Sequence, residues 1–239
     1  MPGGACRKSE GGAGATSTAS TSASTLQSIS GLSVQTSFWA DPNSPTLRTF
    51  ISFTNAGAGG LVVPVSWQSN VGSDAATVVV ATSSGDTLYT TADRWLVTDN
   101  ASDSDVPAVT HVLWGAGATV TPTLAGLSVF ADGGGATQGV RADYSLSVAP
   151  GQTVALLFYN RIHEVRTDAT ASVGDFNGGA TGLSAASLLA GLSGDQLGQV
   201  VNWNVAIPEP GALPLLVLGL AALGGWRTRR GLAHPSPSD

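Results

Sequence analysis

The chain has 239 residues, only 11% of them charged, with a net charge of −6, 31 glycines and one cysteine. That length allows one sizeable core, and a lone Cys6 excludes an internal disulfide, so the fold must stand on packing and hydrogen bonds. Between Gly31 and Val205 stand five arginines, no lysine and thirteen Asp plus Glu, a charge of −8, which argues against nucleic acid and anionic lipid faces as partners.

Residues 1–30 are Gly, Ala, Ser and Thr without apolar periodicity and read as a disordered lead. From Gly31 the pattern turns to strands. Leu47–Asn55 alternates Leu47, Thr49, Ile51 and Phe53 against Arg48, Phe50, Ser52 and Thr54. A Gly-rich loop leads to Leu61–Gln68, where Pro64 cannot donate to a ladder and so marks an edge or a bulge. Further strands are expected at Ala76–Thr82, Leu88–Thr91, Arg94–Thr98, Val109–Trp114 and Gly126–Ala131. Val140–Val148 alternates cleanly, Pro150-Gly151 suits a type II turn, and Gln152–Asn160 is expected to return as the partner of a hairpin. The nearly unbroken apolar run Val154–Tyr159 fits a strand buried on both faces.

After Asp168 the character changes. Ser184–Leu192 is expected to be a short helix, Ser193–Gln196 has capping-box spacing ahead of Leu197–Val201, and Val200–Val205 is expected to be a last strand. Some ten short strands without βαβ alternation predict a mainly β body over 31–206, an antiparallel sandwich or jelly-roll-like fold with short C-terminal helices. Trp39, Trp67 and Trp95 lie 28 residues apart, but their flanks differ, so no repeat is inferred.

Several clusters carry chemistry in principle. Asp99, Asp103 and Asp105 place hard oxygens at close spacing, as a Ca²⁺ loop would, although the EF-hand pattern is absent; a solvated polar loop is the simpler reading. No other cofactor is indicated. His163-Glu164 begins like a zinc-protease motif, but Thr167 stands where the second histidine belongs, and His111 and His163 are too few for a three-histidine catalytic zinc. Tyr159, Asn160, Arg161, His163 and Glu164 gather polar groups at a strand end. No Gly-x-Ser-x-Gly elbow is present. Five tryptophans in the body would stack on sugar rings if exposed and form core if not.

The final stretch has three parts in fixed order. Pro208-Glu209-Pro210 is a rigid polar signal, 211–226 is an uncharged apolar span, and Arg227, Arg229 and Arg230 form a basic stop. As a helix, 16 residues would reach roughly 24 Å, short of a ~30 Å hydrocarbon core. Trp226 and the snorkelling arginines relieve the shortfall. Basic flanks stay cytoplasmic, which puts the body outside.

This tail resembles the PEP-CTERM sorting signal of Gram-negative bacteria. The resemblance covers 207–230; residues 231–239 run past the point where such tails usually stop. It implies that an exosortase, an integral-membrane cysteine-protease-like transpeptidase, recognises the tail and cleaves near Pro208-Glu209-Pro210. It further implies export through an inner-membrane intermediate to the cell surface or extracellular matrix, in company with exopolysaccharide. Such a route requires a secretory leader. Residues 1–30 contain no apolar core for one, so a leader is expected to be encoded upstream of Met1. Three functions follow as expectations: a surface or matrix structural protein without enzymatic activity, an extracellular carbohydrate-binding module, and a surface hydrolase.

Overall fold

The computed structural model describes residues 20–29, 31–70, 77–100, 107–131 and 137–205. Eleven strands are β1 (Ser20–Ala23), β2 (Gln27–Ile29), β3 (Leu32–Ala40), β4 (Thr46–Thr54), β5 (Leu61–Ser69), β6 (Thr77–Thr82), β7 (Trp95–Asn100), β8 (Ala108–Val112), β9 (Leu124–Ala131), β10 (Thr137–Val148) and β11 (Thr153–His163). Four short helices follow: α1 (Arg166–Ala171), α2 (Gly174–Asn177), α3 (Gly179–Ala185) and α4 (Gly194–Gln199). A large antiparallel sheet runs β1-β3-β4-β11-β8-β7-β6, with β2 also on β3; a small one runs β5-β10-β9. The architecture is therefore mainly antiparallel β, consistent with a sandwich. The body closes as one unit ending at Val205. The apolar segment 211–226 lies outside the described residues; among those described, no helix is long and apolar enough to cross a membrane.

Strand β11 sets the layering. Val154, Leu156 and Phe158 join Val140, Ala142, Tyr144, Leu146 and Val148 of β10 in one core between the sheets. Ala155, Leu157 and Tyr159 join Ala169, Phe176, Leu183, Leu188 and Trp203 in a second core beneath the helical segment. The period-2 alternation of a strand sends successive residues to opposite faces, so this run supplies both cores, as its unbroken apolarity predicts.

The expected hairpin is instead a crossing. The turn itself forms: Gln152 N–H donates to Ala149 O at 3.0 Å and Gly151 has φ +72°, the left-handed value a type II turn needs at its third residue. Yet β10 pairs with β5 and β9, whereas β11 pairs with β4 and β8. Both strands carry an apolar face, and those faces meet across the sandwich rather than side by side. Asn55 fixes the crossing. Its N–H donates to Gln152 O, its carbonyl accepts from Gly151 N–H, and its side-chain Nδ2 donates to Val148 O and Gly59 O.

Four further expectations shift. Ser20–Ile29, expected in the disordered lead, forms β1 and β2 by backbone pairing onto β3, so composition understated what a neighbouring edge can template. Leu88–Thr91 is a loop, not a strand. It wraps the Asp93 carboxylate, which accepts from the Thr90 and Ser84 N–H groups and both their hydroxyls. The helix expected at Ser184–Leu192 lies earlier, at Gly179–Ala185, and the chain turns left-handed at Ser187. Val200–Val205 contributes only an isolated parallel bridge from Val200 to Ala155.

Other expectations hold. Pro64 sits on β5, at the edge of the small sheet. Ser193 and Gln196 form the capping box at 3.2 and 2.9 Å and open α4.

The last residues of the body seal it. Asn202 Oδ1 accepts from Leu157 N–H, and its Nδ2 donates to Leu113 O and Leu157 O at 2.9 and 2.8 Å. Trp203 Nε1 donates to Leu157 O, and the ring lies on Gly115 so closely that an added Cβ would fall inside it. Gly115→Ala is therefore expected to cost about 3 kcal/mol in urea unfolding, the upper end for overpacking. A loss under about 1 kcal/mol would show that Trp203 is not pinned there.

Candidate functional site

The polar strand end picked out in the sequence is split by alternation. Tyr159 and Arg161 face the helices, and Asn160 faces the small sheet. Tyr159 Oη donates to Leu188 O. Arg161 reaches Thr46 Oγ1, Ser172 O and Asp175 Oδ2, with its guanidinium 4.9 Å from the Phe176 ring centroid. These two act as ties between sheet and helices.

His163 meets Ser172 at 3.0 Å, a spacing that resembles a base beside a nucleophile. Its polarity is reversed. The Ser172 hydroxyl donates its only proton to Ala169 O, so the imidazole must donate to Ser172 Oγ rather than accept from it. Burial first, and Arg161 second, push the His163 pKa below its ordinary value.

Asp99 is a strand residue, not part of a solvated loop. It is buried, Arg166 Nε donates to its Oδ2 at 2.7 Å, and Asn100 N–H donates to its Oδ1 at 2.7 Å. A calcium ion at Asp99 would have to displace a guanidinium. Asp103 and Asp105 lie outside the described residues, as do Pro208, Glu209, Pro210, Arg227, Arg229 and Arg230.

The tryptophans are core. Trp39 lies under the Arg48 guanidinium at 4.7 Å, Trp67 stacks on Phe158 at 5.3 Å, and Trp95 donates to Asn177 Oδ1. Trp203 is sealed as described above. Trp114 is half-buried and donates to Asp93 O. The N–H groups of Trp95, Trp114 and Trp203 are committed inside the protein.

What the structure assembles, and the sequence did not single out as a unit, is a buried polar chain. His111 on β8 stands opposite Asn160 on β11 and Leu96 on β7. Its Nε2 contacts Thr98 Oγ1 at 2.8 Å and its Nδ1 contacts Asn160 Nδ2 at 2.8 Å. The amide N–H can only donate, so Nδ1 accepts and the ring proton sits on Nε2, toward Thr98. Asn160 Nδ2 also donates to Ser69 Oγ at 3.4 Å. The Trp67 ring stands edge-on to the imidazole at 6.0 Å. Burial pushes the His111 pKa down to about 3, so the ring stays neutral.

Asn160 ends this chain at a cleft. The cleft, about 430 Å³, lies between β5 and the part of β3–β4 that β5 leaves uncovered. Thr36 and Phe38 of β3, Thr49 and Ile51 of β4, and Ser66 and Gln68 of β5 are among its walls. A second hollow of about 340 Å³ shares Leu47 and Asn160 with it and reaches Asp41 and Ile162. Phe38, Leu47 and Ile162 remain 38–40% exposed there. The sequence held a partial signal, since Leu47, Thr49 and Ile51 were legible as one strand face, but pairing Phe38 and Asn160 with that face needs the register.

The lowered His111 pKa has a stability consequence. The unfolded imidazole takes a proton below pH ~6.5 while the folded one does not until about 3, so the unfolded state binds more protons in that window and stability falls as pH falls. The slope from this residue is about 1.4 kcal/mol per pH unit. Urea titrations from pH 7 to pH 4 should show it, and His111→Gln should remove it. A His111 imidazole found protonated at pH 5 by NMR would contradict the assignment.

No family model and no curated protein sequence matches the chain. Among solved structures it is similar to one assigned as an aldose 1-epimerase from Klebsiella pneumoniae subsp. pneumoniae, at 10% identity and a TM-score of 0.36 over 59% of this chain. The matched part is 48% of that chain, so this sequence spans about half its length. A likeness of that degree carries no functional argument.

Proposed function

We propose that residues 31–206 are an exported, surface- or matrix-associated structural body, delivered by an exosortase-type sorting tail at 207–230. The observation that carries this reading is the order of the tail: Pro208-Glu209-Pro210, an uncharged span over 211–226, then Arg227, Arg229 and Arg230. In this reading the span is a transient inner-membrane anchor, the arginines hold the C-terminus in the cytoplasm, and the enzyme cuts near Pro208.

The architecture of the body suits such handling. Its closing contacts end at Asn202, Trp203 and Val205, the last only 9% exposed, three positions before Pro208. A cut at the Pro-Glu-Pro segment removes none of them. A non-enzymatic role is supported by the two histidines of the body: His111 is locked neutral in the interior, and His163 donates to the serine it touches.

Two outcomes test the proposal. Glu209→Ala, or the three arginines changed together to Ser, should leave full-length protein in the inner membrane, and equal processing of variant and parent on a blot would count against an exosortase. A chain ending at Ala206 should melt within about 2 °C of the full chain, because the closing residues are retained. A drop of more than about 5 °C, equivalent to roughly 2 kcal/mol at this size, would mean that the tail is part of the fold.

A further inference from the structure

The cleft beside β5 is built from uncharged parts. Threonine, serine, glutamine and asparagine side chains alternate with Phe38, Ile51, Val65 and the edge of Trp67, and among the described residues no ionisable group lines it. An anion, a metal ion or an acidic peptide would find no counter-charge there. A ligand that is itself neutral, hydroxyl-rich and apolar on one face would find both of its needs met.

Asn160 gives the cleft a direction. The residue is only 8% exposed, and both N–H groups of its amide are committed, one to His111 Nδ1 and one to Ser69 Oγ. Among the described residues no group is seen to donate to its Oδ1. Asn160 lines the cleft. His111 holds the amide end of Asn160 at 2.8 Å, with Thr98 Oγ1 on its other ring nitrogen. The result is a polar amide held at the floor of an open trough. Gln68 Nε2 donates to Ser66 Oγ at 3.1 Å and the Ser66 hydroxyl also bonds the Asp143 carboxylate, so on this wall it is the exposed Gln68 amide that adds hydrogen-bonding capacity.

We propose that this trough binds a neutral oligosaccharide. A sugar ring lays its apolar face on Phe38 and gives a hydroxyl proton to Asn160 Oδ1, while Gln68 engages hydroxyls from the side. A chain of sugars fits better than a single one. The two hollows meet at Leu47 and Asn160, and their volumes of about 430 and 340 Å³ both lie within the range of small-molecule sites. The charged end is spoken for, since the Asp41 carboxylate accepts from Asn43 N–H and Ser44 Oγ. An added peptide strand is the disfavoured occupant. Pro64, opposite Ser145, has no N–H to offer and interrupts the free edge of β5 on which such a strand would pair.

Calorimetric titration of the full chain tests this with cello-, laminari-, malto-, manno- and chitohexaose as neutral probes. An alginate hexamer serves as the acidic control, and an alternating Thr-Val hexapeptide as the strand control. At least one neutral hexamer should saturate below about 10 mM. Phe38→Ala and Gln68→Ala, both exposed, should each weaken it about tenfold or more, with the melting temperature unchanged. Absence of saturation by every neutral hexamer would overturn the proposal. So would binding that survives Phe38→Ala, or binding by the acidic hexamer or the peptide alone. None of these outcomes depends on how the C-terminal tail is processed.

Discussion

A strand with two apolar faces can be satisfied only by two covers, and β11 is that strand. Its six residues Val154–Tyr159 are all buried. At ~1.5–3 kcal/mol for each large side chain removed from water, they represent on the order of 10 kcal/mol of transfer free energy, an upper bound before chain entropy is charged against it. Neither cover could provide that alone. The small sheet reaches only the even-numbered residues and the helical segment only the odd-numbered ones. The three-layer order of small sheet, large sheet and helices therefore follows from one hexapeptide at the centre.

The helical layer needs more than apolar contact. Helices of four to seven residues are too short to persist by their own hydrogen bonds. Three of the five arginines of the body hold them down. Arg48 donates to the carbonyls of Leu188 and Ala190, Arg161 to Ser172 O and Asp175, and Arg166 to Asp99 and Asn100 O. Burial lowers the pKa of Arg48, the one of the three without a carboxylate partner among these bonds, and the Trp39 ring face takes up part of its charge. A chain poor in charge thus places its cations where a chain rich in cysteine would place disulfides.

The individual strands were legible because alternation is a local property. Leu47–Asn55, Leu61–Gln68, Val140–Val148 and the capping box at Ser193 each announce themselves within ten residues. What was not legible is partnership. The Pro150-Gly151 turn has the same local chemistry whether it joins neighbours in one sheet or crosses to another, and the deciding fact is the distant Asn55. Leu88–Thr91 has strand composition, yet Asp93 gathers four donors from the surrounding loop and outcompetes a ladder. Ser20–Ile29 has no apolar face at all, and its pairing is a property of the edge it meets. The cleft was invisible for the same reason. Phe38, Thr49 and Asn160 become neighbours only through the registers β3–β4 and β4–β11.

The interior polar chain is the feature that stability alone would not retain. Thr98, His111 and Asn160 sit between two apolar cores, where a leucine at 111 would bury without the desolvation that drives the histidine pKa to about 3. Buried polar networks hold their place at a cost unless every member is matched. Here each link is matched to the next. Thr98 takes the imidazole N–H, the imidazole takes one amide proton, Ser69 takes the other, and the carbonyl oxygen of Asn160 is left over. A network evolved only to fill space would end in the core. This one ends at the floor of an uncharged trough, where it presents the Asn160 amide.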